Sequence, residues 1–527
     1  MRPRVWDYLI VGSGFGGSVS GLRLVEKGYR VLMLEKGRRF RPQDFPRSNW
    51  ELSRWLWEPR VNFRGPFRMT FLPHVTVLSG VGVGGGSLVY ANTLPVPGEE
   101  FFRAASWGHL APWEEELRPH YATARRMLGA APCRFETDAD RALGAVASER
   151  GLTLERPHVS VFQGQPGLTV PDPYFGGEGP PRTGCIACGG CLIGCRHGAK
   201  NTLDKNYLYL AERRGLAVRP ETEVTWVRPL PEAEGPGYRV EARERGRRRR
   251  VFRARKVIFA GGVMGTVDLL LRLREAEDGL PRLSPRLGHF VRTNSEALIG
   301  VTSKRPDADF SRGLAITSLV HTDPHSHIEP CRYPAGSSFF RVLSAPHIRG
   351  GSLPERLAQT LSTILAAPLD HLRAVLARRW SERTMILLYM RTLEGHLKLE
   401  RGRSWATGFQ RGLTTELAEG PAPAASIPEA SALARDIAAK VDGVVQSIWT
   451  ETLLGIPTTA HILGGCCMGR DRDEGVIDAE HRVFGHEGLY VIDGSAVSAN
   501  PGVNPSLTIT ALAERAMTRI PAATGAT

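Results

Sequence analysis

Near the start of the chain the apolar positions fall into two short runs, "YLIV" at Tyr8–Val11 and "VLML" ending at Leu34, either side of an apolar-periodic stretch, Gly14–Lys27. Continuous apolar runs of this length are those of strands buried on both faces of a sheet, and the 3.6-residue spacing between them predicts a helix. The same rhythm returns over residues 204–270, where "KVIFAGG" leads into "TVDLLLRL", and again from about 459 to the end. Between these stretches the pattern changes. Residues 40–80 are rich in Trp, Pro and Arg and predict irregular structure; 100–170 are mostly helical and polar; 287–345 are predicted as strands and turns.

Two amphipathic stretches stand apart. "PERLAQTLSTILAAPLDHLRAVLARRW", within 353–380, is apolar on one face and basic on the other and is interrupted at Pro368. It predicts a helical hairpin covering a core, with membrane docking or a pocket lid as the alternative. "GVNPSLTITALAERAM" predicts a closing helix with Asn504 as N-cap, Pro505 as first helical residue, and Leu507, Ile509, Leu512 and Met517 as its buried stripe.

The length of 527 residues allows two or three domain-sized cores. The net charge is +14, much of it from Arg247–Arg250 in "EARERGRRRRVFRARK". Strand-like runs flank that cluster, so it is read as a solvated hairpin and not as a nucleic-acid site. The first apolar run is too short for a signal peptide or a membrane span, which predicts a cytoplasmic protein, with association at a membrane surface as the sharper alternative. Eight cysteines in such a chain point to metal binding or reactivity before a disulfide framework.

"VGSGFGG" carries Gly12, Gly14 and Gly17 in the Gly-x-Gly-x-x-Gly spacing between strand and helix, and Glu35 ends the next strand. The glycines permit a tight turn, close approach of backbone to a pyrophosphate, and close helix–strand packing; the helix N-terminus offers free N–H groups, and the acid accepts ribose hydroxyls. A second glycine cluster, "GVGVGGGSLVYANT", suits backbone lying against a flat ring or a diphosphate. A third element, "LYVIDGSAVSANPGVNP", ends a buried strand at Asp493-Gly494-Ser495.

Together with "HILGGCCMG" and "VIFAGGVMGT", these segments resemble the glucose–methanol–choline family of FAD oxidoreductases, and within it the bacterial cholesterol-oxidase branch. The resemblance implies an α/β protein: a Rossmann-like FAD-binding domain assembled from discontinuous segments (1–100, 204–295 and 459–527), with an inserted α+β substrate domain (101–203 and 296–458) built on an antiparallel sheet. It places Gly12, Gly14, Gly17 and Glu35 on the ADP half, Val224 at the adenine, Gly85, Gly86 and Ser87 along the flavin, and Asp493 at the ribityl–phosphate region, with Asn92, Gly494 and Asn504 as further cofactor-binding residues. No His lies in the 82–92 loop, so FAD is expected to be non-covalent. By the resemblance, His461 and Asn504 would occupy the family's two positions facing the flavin; His accepts a proton near neutral pH, whereas Asn only hydrogen-bonds the alcohol oxygen or the flavin edge. Glu329, in "HIEPCRYPAG", resembles the carboxylate that moves a steroid ring proton during double-bond isomerisation. The implied activity is oxidation of a hydroxyl on a bulky apolar alcohol, sterol-like by preference. A long-chain or terpenoid alcohol dehydrogenase, or a non-catalytic flavin electron-transfer protein, is the alternative. The electron acceptor (oxygen, quinone or redox protein) is left open.

Finally, "GCIACGGCLIGC" places Cys185, Cys188, Cys191 and Cys195 in the C-x2-C-x2-C-x3-C spacing of bacterial ferredoxins, with Arg196 where those have Pro. A [4Fe–4S] cluster, zinc, or a structural thiol or disulfide loop each fits this spacing. Cys133 and Cys331 are remote candidates for a fourth ligand.

Overall fold

The computed structural model describes residues 5–418 and 420–524. Its first large sheet is assembled from distant parts of the chain. The first strand, Val5–Val11, pairs in parallel with Val31–Leu34 on one side and with the long strand Arg248–Phe259 on the other. Ala217–Arg219 extends the sheet beyond Val31–Leu34, and Leu489–Val491 pairs in parallel with the end of Arg248–Phe259. The register sets Val11 against Leu34 and Phe259, and Phe259 against Val491. The carboxyl ends of these strands are therefore level, and such a level edge is where α/β sheets hold ligands.

The Arg-rich run lies at a hairpin, as expected. Tyr238–Glu244 pairs antiparallel with Arg248–Phe259, and Arg249 and Arg250 reach Glu241 and Glu244 at 2.8 and 2.7 Å. Helix Phe15–Glu26 packs on the closing helix, Ser506–Thr518, through Arg23–Glu514 (2.8 Å).

The second large sheet is antiparallel throughout. Its order is Ser344–Pro346, Gly443–Ile448, Ala297–Ser303, Thr384–Arg391, Ser326–Cys331, Leu319–Asp323, Leu154–Glu155. Helices Pro428–Lys440 and Asp138–Glu149 pack on it, and Ile299, Val301, Ile328, Leu387 and Ile437 form a core of their own. One strand crosses the expected division. His396–Arg403, inside the span assigned to the substrate domain, packs on helix Gly262–Arg274, and its Leu397 and Leu399 join the core of the first sheet.

The stretch 353–380 departs from its expectation. Helices Leu353–Ala366 and Pro368–Val375 do form, broken at Pro368 and started by a Ser352–Glu355 capping box. Their apolar face covers no core, however: Leu357, Leu361, Leu365, Leu369 and Leu372 are each at least half exposed. Periodicity fixes which residues share a face but not what that face meets. No helix among the described residues is long and apolar enough to cross a membrane.

Candidate active site

A cavity of about 1560 Å³ opens along the level strand edge and continues under the antiparallel sheet. A pocket for one small ligand is roughly 300–1,000 Å³, so this one has room for a dinucleotide and a second bulky molecule. Gly12, Gly14, Glu35, Val224, Gly85, Gly86, Asn92, Asp493, Gly494, His461 and Asn504 all line it. Gly17, Ser87 and Glu329 do not.

The glycines have separate roles. Gly12 has φ +100°, and a Cβ there meets Ala260 O at 2.4 Å; one on Gly17 meets Gly12 O at 2.3 Å. These two set how closely helix and strands pack. At Gly14 the nearest such atom is 4.0 Å away, so the space it leaves open belongs to the cavity. Gly14 caps helix Phe15–Glu26, whose first turn has no acidic residue, so free N–H groups and the positive helix end face that space. The residues fit a dinucleotide pyrophosphate.

Glu35 is locked in place by Ser13 N (3.1 Å), Ser13 Oγ (2.7 Å) and Gly37 N (2.8 Å). Asp493 accepts from Gly262 N, Thr266 Oγ1, Ser495 N and Ser495 Oγ, so its carboxylate ties the last strand to helix Gly262–Arg274. A register shift between Val224 and Trp226 interrupts the ladder where Val224 borders the cavity. Ser87, expected along the flavin, points elsewhere: its hydroxyl donates to Gly84 O (2.7 Å) and accepts from Leu203 N (3.0 Å), holding the glycine loop in shape.

At the far end four side chains form two linked pairs. His461 Nδ1 lies 2.7 Å from Glu296 Oε2, and the other oxygen of Glu296 accepts from Ala460 N at 2.6 Å. Glu296 is buried and was not singled out in the sequence. Burial disfavours an imidazolium at His461, but the charge and hydrogen bond of Glu296 outweigh it and raise the imidazole above its ordinary value.

Asn504 supplies the second pair. Glu329 is acceptor-only as a carboxylate, which orients the amide: Nδ2 donates to Glu329 Oε1 at 3.0 Å and to Thr93 Oγ1 at 2.9 Å. Asn504 is thus no N-cap; the helix starts at Ser506 behind Pro505 and has no side-chain cap. Glu329 is fully buried behind Asn504 instead of facing the cavity. Its carboxylate borders the cavity through the Asn504 amide alone.

One short segment connects the pairs. Arg292 and Leu463 exchange backbone hydrogen bonds (2.8 and 2.9 Å), and Thr459 Oγ1 donates to Thr293 O, which fixes the His461 loop. Asn294 donates to Val503 O (3.0 Å) and accepts from Gly502 N (2.9 Å), which fixes the loop before Asn504. Asn294 and Ser295 have φ of +60° and +44°, left-handed conformations that a side chain disfavours and that accumulate at functional sites. A further carboxyl, Glu451, lines the cavity; burial raises it to about 8 against the opposing hydrogen bonds from Thr458.

Residues 392–513 match the GMC oxidoreductase family model, and residues 10–42 match the NAD(P)-binding Rossmann-like domain. A cholesterol oxidase of Mycobacterium tuberculosis is 46% identical over 98% of this chain and 91% of its own length. This chain is a GMC oxidoreductase of the cholesterol oxidase branch. A second cholesterol oxidase, from Acinetobacter baumannii, is 42% identical over 98% of this chain and 94% of its own. In fold, this GMC oxidoreductase is similar to the crystal structure of pyridoxine 4-oxidase from Mesorbium loti, with TM-score 0.62 and 15% identity over 98% and 99% of the two chains. It is an FAD-dependent oxidoreductase, and the Rossmann-like match over residues 10–42 spans the first part of the glycine cradle described above.

The metal expectation for Cys185, Cys188, Cys191 and Cys195 needs correction in one respect. Among the described residues no group of three or more His, Cys, Asp or Glu side chains converges on a single ion, so zinc is not accommodated, and all eight cysteines are free thiols.

Proposed function

We propose that this GMC oxidoreductase oxidises the hydroxyl of a 3-hydroxysteroid to a carbonyl, with FAD held non-covalently. The observation that carries this reading is the pairing of His461 with Glu296 at the end of a cavity that begins at a pyrophosphate cradle. FAD supplies the hydride acceptor. His461, with Nδ1–H donated to Glu296, keeps the lone pair of Nε2 for the hydroxyl proton, and Glu296 stabilises the imidazolium that forms. Asn504, oriented by Glu329 and Thr93, holds the alcohol oxygen. Asn504, Pro505 and Ser506 bring the positive end of the closing helix to the same region, where negative charge is stabilised.

The bulk of the cavity beyond this point supports a large apolar substrate. Phe340, Trp380, Trp405 and Trp449 line it, and Trp405 and Trp449 are also partly exposed. Helix Leu353–Ala366 packs on Thr450–Leu454, which follows Trp449, and carries exposed leucines, with Arg373 and Arg378 exposed further along the chain. An apolar face flanked by arginines suits the surface of an anionic bilayer, from which a sterol is drawn.

An anaerobic screen tests the reading. A 3β-hydroxysteroid should bleach the bound flavin faster than a long-chain primary alcohol of equal concentration. Bleaching by the primary alcohol and not by the steroid would overturn the substrate assignment.

A further inference from the structure

The cysteine motif is not used by the proposed reaction, yet its surroundings are specialised. All four thiols of Cys185, Cys188, Cys191 and Cys195 border one small internal cavity, and Cys133 and Cys331 do not. The ligand set is therefore local, and the single motif needs no remote fourth member. The loop is anchored by backbone bonds from Cys185 N to Phe162 O (3.0 Å), Gly189 N to Gly313 O (2.9 Å) and Gly313 N to Ala187 O (2.9 Å). Ala187, Gly189 and Gly194 all have positive φ (+55°, +68° and +100°), reversing the chain between successive cysteines. Ala187 carries that conformation with a side chain, which costs energy and persists only where the surroundings enforce it.

Charge gives a second, independent observation. Lys200 borders the same cavity and is 1% exposed. Its Nζ donates to Leu88 O (3.1 Å) and Cys191 O (2.9 Å) and lies 4.6 Å from the Tyr90 ring centre. No carboxylate among the described residues lies within ion-pair distance of it. A buried ammonium is costly without a counter-charge, and the cysteines close enough to Lys200 to supply one are Cys191 and Cys195. A single tetrahedral ion needs every sulfur about 2.3 Å from one point, which this loop does not provide. A multi-iron cluster binds its thiolates at separate corners, so the four sulfurs need not meet at one point.

We propose that Cys185, Cys188, Cys191 and Cys195 ligate a [4Fe–4S]-type cluster, compensated by Lys200, one side chain behind the cofactor cavity. Asn92 is that side chain: it lines the cofactor cavity and its amide faces Cys191. On the other side Ile186 is 41% exposed, so the loop reaches from the flavin pocket to the surface. The use of the site rests on the alcohol oxidation proposed above; its existence does not. The two electrons removed from the alcohol leave the pocket singly through the cluster to a one-electron acceptor protein, of haem or iron–sulfur type, at the Ile186 surface. The hydroxyl proton leaves separately by way of His461, and the proton transferred with the hydride is released to solvent as the two electrons are withdrawn. This exit needs no oxygen at the flavin.

The full-length, FAD-loaded chain is purified without oxygen and reconstituted with ferrous iron and sulfide. We expect about four irons and four sulfides per chain and a paramagnetic resonance signal after dithionite. Cys188→Ser should lose the signal and Cys133→Ser should keep it, both with unchanged FAD absorbance. Less than one iron per chain, or equal loss in the Cys133 variant, overturns the site. Steroid added anaerobically should raise the same signal in the parent protein, and bleaching of the flavin without that signal overturns the relay. Iron and sulfide are read without substrate. A cluster present with no alcohol bleaching the flavin therefore defeats the proposed function, and bleaching without iron defeats the cluster.

Discussion

The Asn504 amide donates to the Glu329 carboxylate at 3.0 Å, across the boundary between the closing helix and the antiparallel sheet. A residue placed to cap a helix is turned into the active cavity by a buried acceptor on another element. Asn504→Ala should slow flavin reduction by substrate on the order of 10²-fold, because a preorganised donor is lost. Glu329→Gln, which keeps the shape but not the charge, should slow it less. Anaerobic stopped-flow with FAD content measured in parallel checks both; an Asn504→Ala rate within threefold of the parent defeats the assignment.

Glu296 raises His461, so its removal should lower the imidazole pKa. Flavin reduction needs neutral His461 and rises with pH through that pKa. In Glu296→Gln the midpoint of the rise should therefore move to lower pH, together with a lower plateau from the loss of imidazolium stabilisation. An unmoved midpoint in the pH–rate profile removes Glu296 from the proton path.

Gly14 and Gly17 differ in what an added methyl meets. Gly14→Ala should fold with an apo-protein melting temperature close to the parent's and lose FAD affinity about tenfold or more, about 1.4 kcal/mol. Gly17→Ala, whose methyl meets Gly12 O at 2.3 Å, should lower the melting temperature of the apo-protein itself. Fluorescence titration and thermal scans separate the two; equal melting losses in both variants contradict the division.

Glu451, raised to about 8 by burial, is protonated in the folded chain at pH 7 and ionised in the unfolded one. The folded state then binds the extra proton between about pH 4.5 and 8, and this group's contribution to stability falls as pH rises through that window. Glu451→Gln should match the parent's pH dependence at low pH and melt higher than the parent at pH 8. Parallel melting curves across the range would place the acid in contact with water.

Replacing Leu361 and Leu365 by Asp together should abolish sedimentation with anionic vesicles while leaving flavin reduction by a detergent-dispersed sterol unchanged. Retained vesicle binding moves the contact to another face.

How much of this was legible follows from how local each signal is. Gly12, Gly14 and Glu35 were recognisable because strand, turn and helix are contiguous, and their order constrains the geometry. Glu296 was not: it becomes the partner of His461 only when residues 292–296 are bridged to 459–463, a contact that no spacing announces. Glu329 stands out in sequence only through the resemblance of its segment, and its contact with Asn504 depends on the strand register Glu329↔Leu388 and on the placement of the closing helix. Ser87 is ambiguous in sequence because a serine in a glycine loop serves either a ligand or the loop's own carbonyls, and here Gly84 takes its hydroxyl.

The pairing of Arg248–Phe259 with both Val5–Val11 and Leu489–Val491 has a consequence for synthesis. A methyl at Gly16 meets Ile492 O at 1.8 Å, so the opening helix is shaped around a segment almost five hundred residues later. Such distant contacts form late. On the ribosome the opening strand and helix wait for their last neighbour, and a chain arrested before residue 489 lacks the edge strand and Asp493 alike. Premature termination should therefore yield a protein without a cofactor site, not a shortened enzyme, and its exposed apolar strand makes it a substrate for holding chaperones through most of its translation.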